Sequence, residues 1–143
     1  MISNRVPKIF LAALPLFLLV SCGSPSTPPA ATTQDQKAQL CTDLARFNTA
    51  VATLASMSPS STVGDLRAAR DQVKTTFATV KTTAAGVKDS KVEDLDRAQQ
   101  DLDKAITSVP NTATLKQAVT SVTPQVKAVQ TAEATMKAGL SCP

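Results

Sequence analysis

The densest group of side chains that could do chemistry is the run of carboxylates from Asp89 to Asp103, which contains six of them. On a helix, residues seven apart share a face, so Asp94 shares a face with Asp101 and Asp96 with Asp103. A calcium site needs about six or more oxygen atoms that converge, usually on a loop. Lysine and arginine alternate with these carboxylates. We therefore interpret the run as the solvated face of a helix and predict no metal site.

Groups that catalyse reactions are scarce elsewhere in the chain. It has no His, Trp or Tyr, and without histidine it lacks the commonest general base and the commonest metal ligand. Serine and threonine are abundant, but no neighbouring group is in a pattern that would activate them. The four glycines form no phosphate-binding loop. We predict no catalytic residues, no cofactor and no enzyme activity.

The N-terminal segment is typical of a secretory signal peptide. Arg5 and Lys8 make a short positive region, and an apolar run of 12 residues follows from Ile9 to Val20. A transmembrane helix needs about 20 apolar residues. The run is too short for that, and Pro15 lies in its middle, so an apolar signal region is the better interpretation.

The apolar run ends in Leu19-Val20-Ser21-Cys22, which resembles the lipobox of bacterial lipoproteins. The resemblance implies that the signal peptide, residues 1–21, is removed and that diacylglycerol is attached to Cys22. A membrane lipid would then hold the protein in the bacterial cell envelope, with its domain on the periplasmic or extracellular side. The alternative is an ordinary secretory signal that contains a cysteine. The resemblance covers only the first 22 residues.

Residues 22–33 have the composition of a tether. Three prolines and several hydroxyl residues occupy this stretch, and no charge occurs before Asp35. Such a segment buries no apolar surface and has no helical period. Partly extended, it would reach about 30 Å. We place the folded domain at residues 34–143.

Cys41 and Cys142 remain once Cys22 is assigned to the lipid. An exported protein encounters an oxidising compartment, in which disulfides persist. Two thiols without histidine or a CxxC spacing assemble neither a zinc site nor a redox motif. We predict a structural disulfide between Cys41 and Cys142.

The charge pattern gives no support for binding nucleic acid. The chain has 15 basic and 11 acidic residues, and removal of Arg5 and Lys8 with the signal peptide leaves an excess of only two positive charges. These basic residues are spread singly, and no basic cluster with interleaved aromatic residues occurs. The composition indicates neither a nucleic-acid surface nor a polybasic membrane patch.

Apolar residues recur at helical spacing in four consecutive segments, each with polar residues between them. The four stripes are Leu40, Leu44, Phe47, Val51 and Leu54; Val63, Leu66, Ala69, Val73, Phe77, Val80 and Ala84; Val92, Leu95, Ala98, Leu102, Ile106 and Val109; and Leu115, Ala118, Val122, Val126, Val129, Ala132 and Met136. The pattern predicts four amphipathic helices and an all-α domain.

Several residues mark the expected helix boundaries. Thr62 with Asp65, and Ser90 with Glu93, have the spacing of a capping box at a helix start. Gly86 is followed by Val87, and Gly139 by Leu140. A glycine followed by an apolar residue is typical of a Schellman motif at the end of a helix.

Prolines mark the other expected boundaries. Pro59 and Pro110 fall in gaps between stripes, where a missing N–H costs nothing. Pro124 lies inside the fourth stripe without shifting its phase, which predicts a kinked helix rather than two helices.

Short connections favour antiparallel packing of consecutive helices, so we predict an up-down-up-down four-helix bundle. That order would place Cys41 and Cys142 at the same end, in agreement with the predicted disulfide. A three-helix bundle with a loosely packed first helix is the alternative.

For function, we expect a non-enzymatic envelope lipoprotein with a structural or accessory role in contact with another envelope protein. The alternative is a binder or sensor of a small apolar ligand in the bundle core. The sequence does not indicate an oligomeric state.

Overall fold

The computed structural model describes residues 32–143. Four helices make up this part of the chain: α1 (Thr33–Ala55), α2 (Val63–Ala84), α3 (Val92–Thr107) and α4 (Leu115–Leu140). These described residues contain no β-strand. The predicted all-α bundle of four helices is confirmed. The signal peptide, Cys22 and residues 22–31 of the predicted tether lie outside the described residues.

The predicted apolar stripes form one core. Most of their members are buried, and the first helix contributes Leu40, Leu44 and Phe47 with no exposed surface. The ring of Phe47 packs against Phe77 of α2, with 5.6 Å between the ring centroids. Three small members of the stripes and one valine are only partly buried at the edge of the core: Ala69, Ala98, Ala132 and Val92.

The four helices differ in how closely they pack. The α1–α2 and α3–α4 contacts are the most extensive, α1–α4 is intermediate, and α2–α3 is the smallest of these four. Because α1 packs against both α2 and α4, the three-helix alternative with a loose first helix is wrong. Short linkers, residues 56–62, 85–91 and 108–114, connect the helices.

Three helices begin with a capping box. Thr32, Thr62 and Thr114 each have extended backbone, and their hydroxyls accept a hydrogen bond from the backbone N–H three residues later. The side chain at that later position, which is Asp35 in α1, accepts in return from the backbone N–H of the threonine. The predicted box of Thr62 is confirmed.

The predicted capping box of Ser90 and Glu93 is wrong. The residue that precedes α3 is Lys91, whose backbone is left-handed (φ 52°) and whose side chain makes no capping bond. A capping side chain needs extended backbone at that position to reach the third helical N–H. Lys91 is left-handed, and α3 begins at Val92, so Ser90 lies one residue before the capping position. The side chain of Ser90 is itself buried.

The predicted helix ending at Gly86 differs from the observed one. The helix α2 ends at Ala84, and no glycine in the described residues has positive φ. The N–H of Gly86 instead donates to the carbonyl of Thr83, and the N–H of Val87 to that of Ala84. A tight turn with right-handed backbone therefore replaces the Schellman motif, because the polypeptide continues into a short linker with Val87 buried.

The Schellman motif of α4 occurs two residues later than Gly139. Ser141 has left-handed backbone (φ 55°), and its N–H donates to the carbonyl of Ala138. The N–H of Cys142 donates to the carbonyl of Lys137, which completes the motif. The prediction at Gly139 is wrong because Leu140 is buried and keeps the last turn helical.

A single helix runs through Pro124, as the phase of the fourth stripe predicts. Proline has no N–H, so the carbonyl of Thr120 lacks its usual helical partner. The hydroxyl of Thr123, the residue before the proline, donates to the carbonyl of Val119 at 2.7 Å. Val122 and Val126 are buried on either side of the proline, so burial of the stripe holds the helix together across this position.

Candidate interaction surfaces

A disulfide joins Cys41 of α1 to Cys142, and the two Cα atoms are 5.5 Å apart. Both cysteines are partly buried and pack against the core. The Schellman turn after α4 fixes the backbone of Cys142, because the N–H of Cys142 makes the closing bond of that motif. The bridge closes a loop across 101 residues and is the pair that the sequence predicts.

Charged side chains surround this end of the bundle. The disulfide lies in a cleft between α1 and α4 that is open to solvent and includes Lys37 and Lys137. The linker 85–91 lies nearby, because Gly86 approaches the side chain of Gln36. That linker contains Lys88, Asp89 and Lys91. We call this region the disulfide end.

The four aspartates of α3 divide into two groups. Asp94 and Asp101 are exposed and pair with basic residues of their own helix. Asp96 and Asp103 are less exposed and pair with α2 instead. The prediction of a solvated face therefore holds only for the first group. Within residues 32–143, no cluster of three or more His, Cys, Asp or Glu side chains is placed to hold a metal ion.

The contact between α2 and α3, which we call the α2–α3 interface, is bordered by charged side chains. Lys81 of α2 is 3.0 Å from Asp96. Arg70 and Lys74 of α2 lie 3.5 and 3.6 Å from the same oxygen atom of Asp103. That oxygen accepts no hydrogen bond from the described residues. The ion pairs at this interface are therefore long for Asp103 and short for Asp96.

Arginines also connect α2 to the residues that follow α3. The guanidinium of Arg67 donates to the carbonyl of Val109 at 3.1 Å and to the side chain of Asn111. Arg70 donates to the hydroxyl of Thr107 at 3.1 Å. These bonds place the start of α2 beside the linker 108–114.

Asp43 is a buried carboxylate that the sequence analysis does not single out. Its side chain is only 2% exposed and accepts hydrogen bonds from Gln39, Arg46 and Thr83. The bond from Thr83 crosses from α2 to α1 at 2.8 Å. Because every partner is a donor, Asp43 is a satisfied polar link between the two helices.

Gln99 and Glu133 are two further buried polar residues. Glu133 is paired with Lys137, one turn later on α4, at 3.0 Å. Both residues stand at regular positions of their stripes, four residues after a buried residue and three before the next. The apolar pattern predicts the neighbouring Ala98 and Ala132 at these positions instead, because Gln99 and Glu133 are polar.

Two exposed carboxylates have lowered pKa values, and both belong to capping boxes. The Thr32 hydroxyl and backbone N–H donate to Asp35 and lower its pKa below 3.8. The backbone N–H of Thr62, followed by its hydroxyl, does the same for Asp65. Hydrogen bonds favour the charged form of a carboxylate. These shifts therefore belong to helix capping and identify no catalytic acid.

The linkers 56–62 and 108–114 contain no charged residue. Their sequences are rich in serine, threonine and proline, and Met57 and Val109 pack into the core. Arg67 joins the second linker to the start of α2, directly after the first linker. We call the surface of these two linkers the uncharged end.

Two surface clefts are of interest because their walls are largely uncharged. The first has no charged residue in its lining, and the second has only Lys127. One, of about 630 Å³, adjoins the uncharged end and includes Val109, Pro110 and Ala113. A smaller one, of about 140 Å³, lies between α1 and α4 and includes Leu54 and Val126 beside Lys127. Both open to solvent.

Among the described residues, no helix is long and apolar enough to cross a membrane. Comparison of the chain with protein-family models, with curated proteins and with solved structures finds no match.

Proposed function

We propose that this protein is a lipid-anchored lipoprotein of the bacterial cell envelope, whose helical domain acts by contact with another envelope protein and not as an enzyme. Cys22 carries the lipid and the residues from there to 31 are the tether. The domain starts at the Thr32 cap of α1, two residues earlier than the sequence predicts. The domain faces the periplasm or the cell exterior.

The observation that carries this proposal is the disulfide between Cys41 and Cys142 in a domain that begins shortly after the lipobox-like sequence. Structural disulfides persist in oxidising compartments outside the cytoplasm. The cysteine pair and the segment Leu19–Cys22 are separate features of the chain. Both point to export, and only the second points to a lipid.

The proposed order of the helices is up-down-up-down. In support, the disulfide connects an early residue of α1 to the end of α4. Thr83, near the end of α2, bonds to Asp43 in the first half of α1. Lys81 pairs with Asp96 near the start of α3. Each contact is the one expected between antiparallel neighbours.

The order of the elements suggests which surface meets a partner. The proposed anchor precedes α1, which starts at the disulfide end, so the uncharged end would face away from the membrane. The 22 residues of α2 span about 33 Å, and the tether adds up to about 30 Å. We propose the uncharged end, with its adjoining cleft, as the contact surface.

A second candidate function is the binding of a small apolar ligand within the bundle. In its favour, the cleft between α1 and α4 is lined by Leu54, Val122 and Val126, which belong to the core. At about 140 Å³, it is smaller than the ~300 Å³ typical of ligand sites, so a ligand would require the helices to separate.

The test is purification of the full chain from bacterial membranes under native conditions. We expect wild type to co-purify with a stoichiometric protein partner. Ser60→Glu and Thr112→Glu place a charge on exposed positions of the uncharged end and should abolish that association. Gln100→Glu, on the exposed face of α3, is the matched control and should retain it.

Two outcomes would contradict the proposal. Equal retention of the partner by the Ser60→Glu and Thr112→Glu variants would exclude the uncharged end as the contact surface. A monomeric protein that co-purifies only with a lipid or another apolar molecule would favour the second candidate function.

A further inference from the structure

We propose that the bundle opens along the α2–α3 interface. The α1–α2 pair and the α3–α4 pair would move as two units that remain joined where α1 meets α4. This inference does not depend on the lipid anchor, because it rests only on contacts within residues 32–143. Three separate features of the structure support it.

The first feature is the uneven packing of the four helices. The α1–α2 and α3–α4 contacts are extensive, whereas α2–α3 is the smallest of the four contacts between neighbouring helices. Packing of apolar side chains contributes in proportion to the area buried. The two pairs are therefore held together internally more strongly than α2 is held to α3.

The second feature is the chemistry of the two contacts that join the pairs. A covalent bond, Cys41–Cys142, closes the α1–α4 side. The α2–α3 side is bordered by ion pairs, and Asp103 is bound there only by Arg70 and Lys74 at 3.5 and 3.6 Å. These side chains are partly exposed, so salt weakens their attraction. The α1–α4 side is closed covalently. The α2–α3 side is held by ion pairs that salt weakens and by the hydrogen bonds from Arg67 and Arg70 at the far end of the bundle, which opening would break.

The third feature is the backbone of the linker 85–91, which joins α2 to α3. Asp89 and Lys91 have positive φ, 57° and 52°, a conformation that disfavours residues with a Cβ atom. Separation of α2 from α3 requires this linker to extend, and extension relieves both residues. Seven residues reach about 23 Å when extended, enough to let the helices part.

Opening in this manner brings core residues of α2 and α3 to solvent while each helix keeps its own hydrogen bonds. Phe77 and Leu102 are two such residues, with 4% and 1% of their surfaces exposed in the closed bundle. The device is therefore a reversible exposure of apolar surface on one side of the molecule.

The experiment measures distances between spin labels by pulsed electron paramagnetic resonance on the full chain with its native disulfide intact. Cysteines replace Thr75 and Gln100, which are exposed on α2 and α3, and carry maleimide labels. A second pair at Gln100 and Lys127, on α3 and α4, reports the contact that should stay closed. Both pairs are measured at low salt and at 1 M NaCl.

Asp103→Asn removes both long ion pairs across the interface. Asp94→Asn is the matched control, since it removes an ion pair within α3 alone. Lys81→Gln removes the remaining pair across the interface and provides an independent variant.

For the Thr75–Gln100 labels we expect a second, longer distance. Its population should rise about two- to tenfold in Asp103→Asn, the range given by the usual strength of such ion pairs, and should rise in Lys81→Gln and at 1 M NaCl. In Asp94→Asn it should equal that of wild type. The Gln100–Lys127 labels should keep one distance throughout.

Two results would overturn the proposal. One is a single Thr75–Gln100 distance in every variant and at both salt concentrations. The other is simultaneous broadening of both label pairs, which would show loss of the whole fold and not opening at one interface.

Discussion

Replacement of both Cys41 and Cys142 by alanine should lower stability strongly while leaving the helices formed. In the chain-entropy description, a bridge across 101 residues removes about 16 cal/mol/K of entropy from the unfolded chain, or about 4.7 kcal/mol at 25 °C. Measured bridges usually contribute less, about 2–4 kcal/mol. For a domain of this size, a loss of that order lowers Tm by about 10–20 °C.

Thermal unfolding followed by circular dichroism measures this change. The Cys41→Ala/Cys142→Ala variant should keep the helical signal of wild type at 20 °C, because burial of the apolar stripes does not require the bridge. Wild type treated with a reductant should unfold at the same temperature as the variant. A Tm within about 2 °C of oxidised wild type would refute the assigned role, and so would loss of helicity at 20 °C.

Three further predictions test the core, the buried carboxylate and the caps. Leu102→Asp places a charge on a fully packed position and should cost about 4 kcal/mol or more in chemical denaturation. Its control, Gln130→Asp on the exposed face of α4, should change stability by less than about 0.5 kcal/mol. Asp43→Ala removes the bond from Thr83 that links α2 to α1 and leaves this hydroxyl only the carbonyl of Thr79 in its own helix. The loss of this bond to a charged, buried acceptor should cost about 1–3 kcal/mol, whereas equal stability to wild type would contradict the assigned link. The lowered pKa of Asp65 means that its cap stabilises the fold above pH 3.8 and is lost as the pH falls through the lowered value. Asp65→Asn should therefore reduce stability at pH 7 and flatten its fall in acid, and unfolding curves with the same acid slope as wild type would disprove this.

The sequence predicts the helices well because burial repeats along each of them. The residues of the first stripe, from Leu40 to Leu54, are all buried, and a single period is sufficient to find them. The capping box of Thr62 can also be predicted from the sequence, because its two residues, Thr62 and Asp65, are only three positions apart. The disulfide follows from the cysteine count and the expected compartment, with no knowledge of distances.

Features that depend on the tertiary structure were not predicted. The left-handed backbone of Lys91 displaces the cap expected at Ser90 by one residue, and burial of Leu140 extends α4 beyond Gly139. Asp43 is charged, so an apolar pattern passes over it, although it lies four residues before the buried Phe47. Its burial depends on Thr83, forty residues away along the chain.

The candidate contact surface shows a similar division. Absence of charge from the linkers 56–62 and 108–114 can be read directly from the sequence. Their position at the same end is expected from the predicted up-down-up-down order, whereas the bonds from Arg67 to Val109 and Asn111 could not be predicted. Long-range bonds of this kind have no signature in the local sequence.

Mass spectrometry of the N-terminal tryptic peptide, from protein extracted from bacterial membranes, tests the lipid anchor most directly. Trypsin cleaves after Lys37, the first basic residue of the mature chain. We expect a peptide of residues 22–37 whose mass includes diacylglycerol on Cys22. In Cys22→Ser, both this modification and the association with membranes should be lost. An unmodified Cys22, or a mature chain that begins at another residue, would contradict the account.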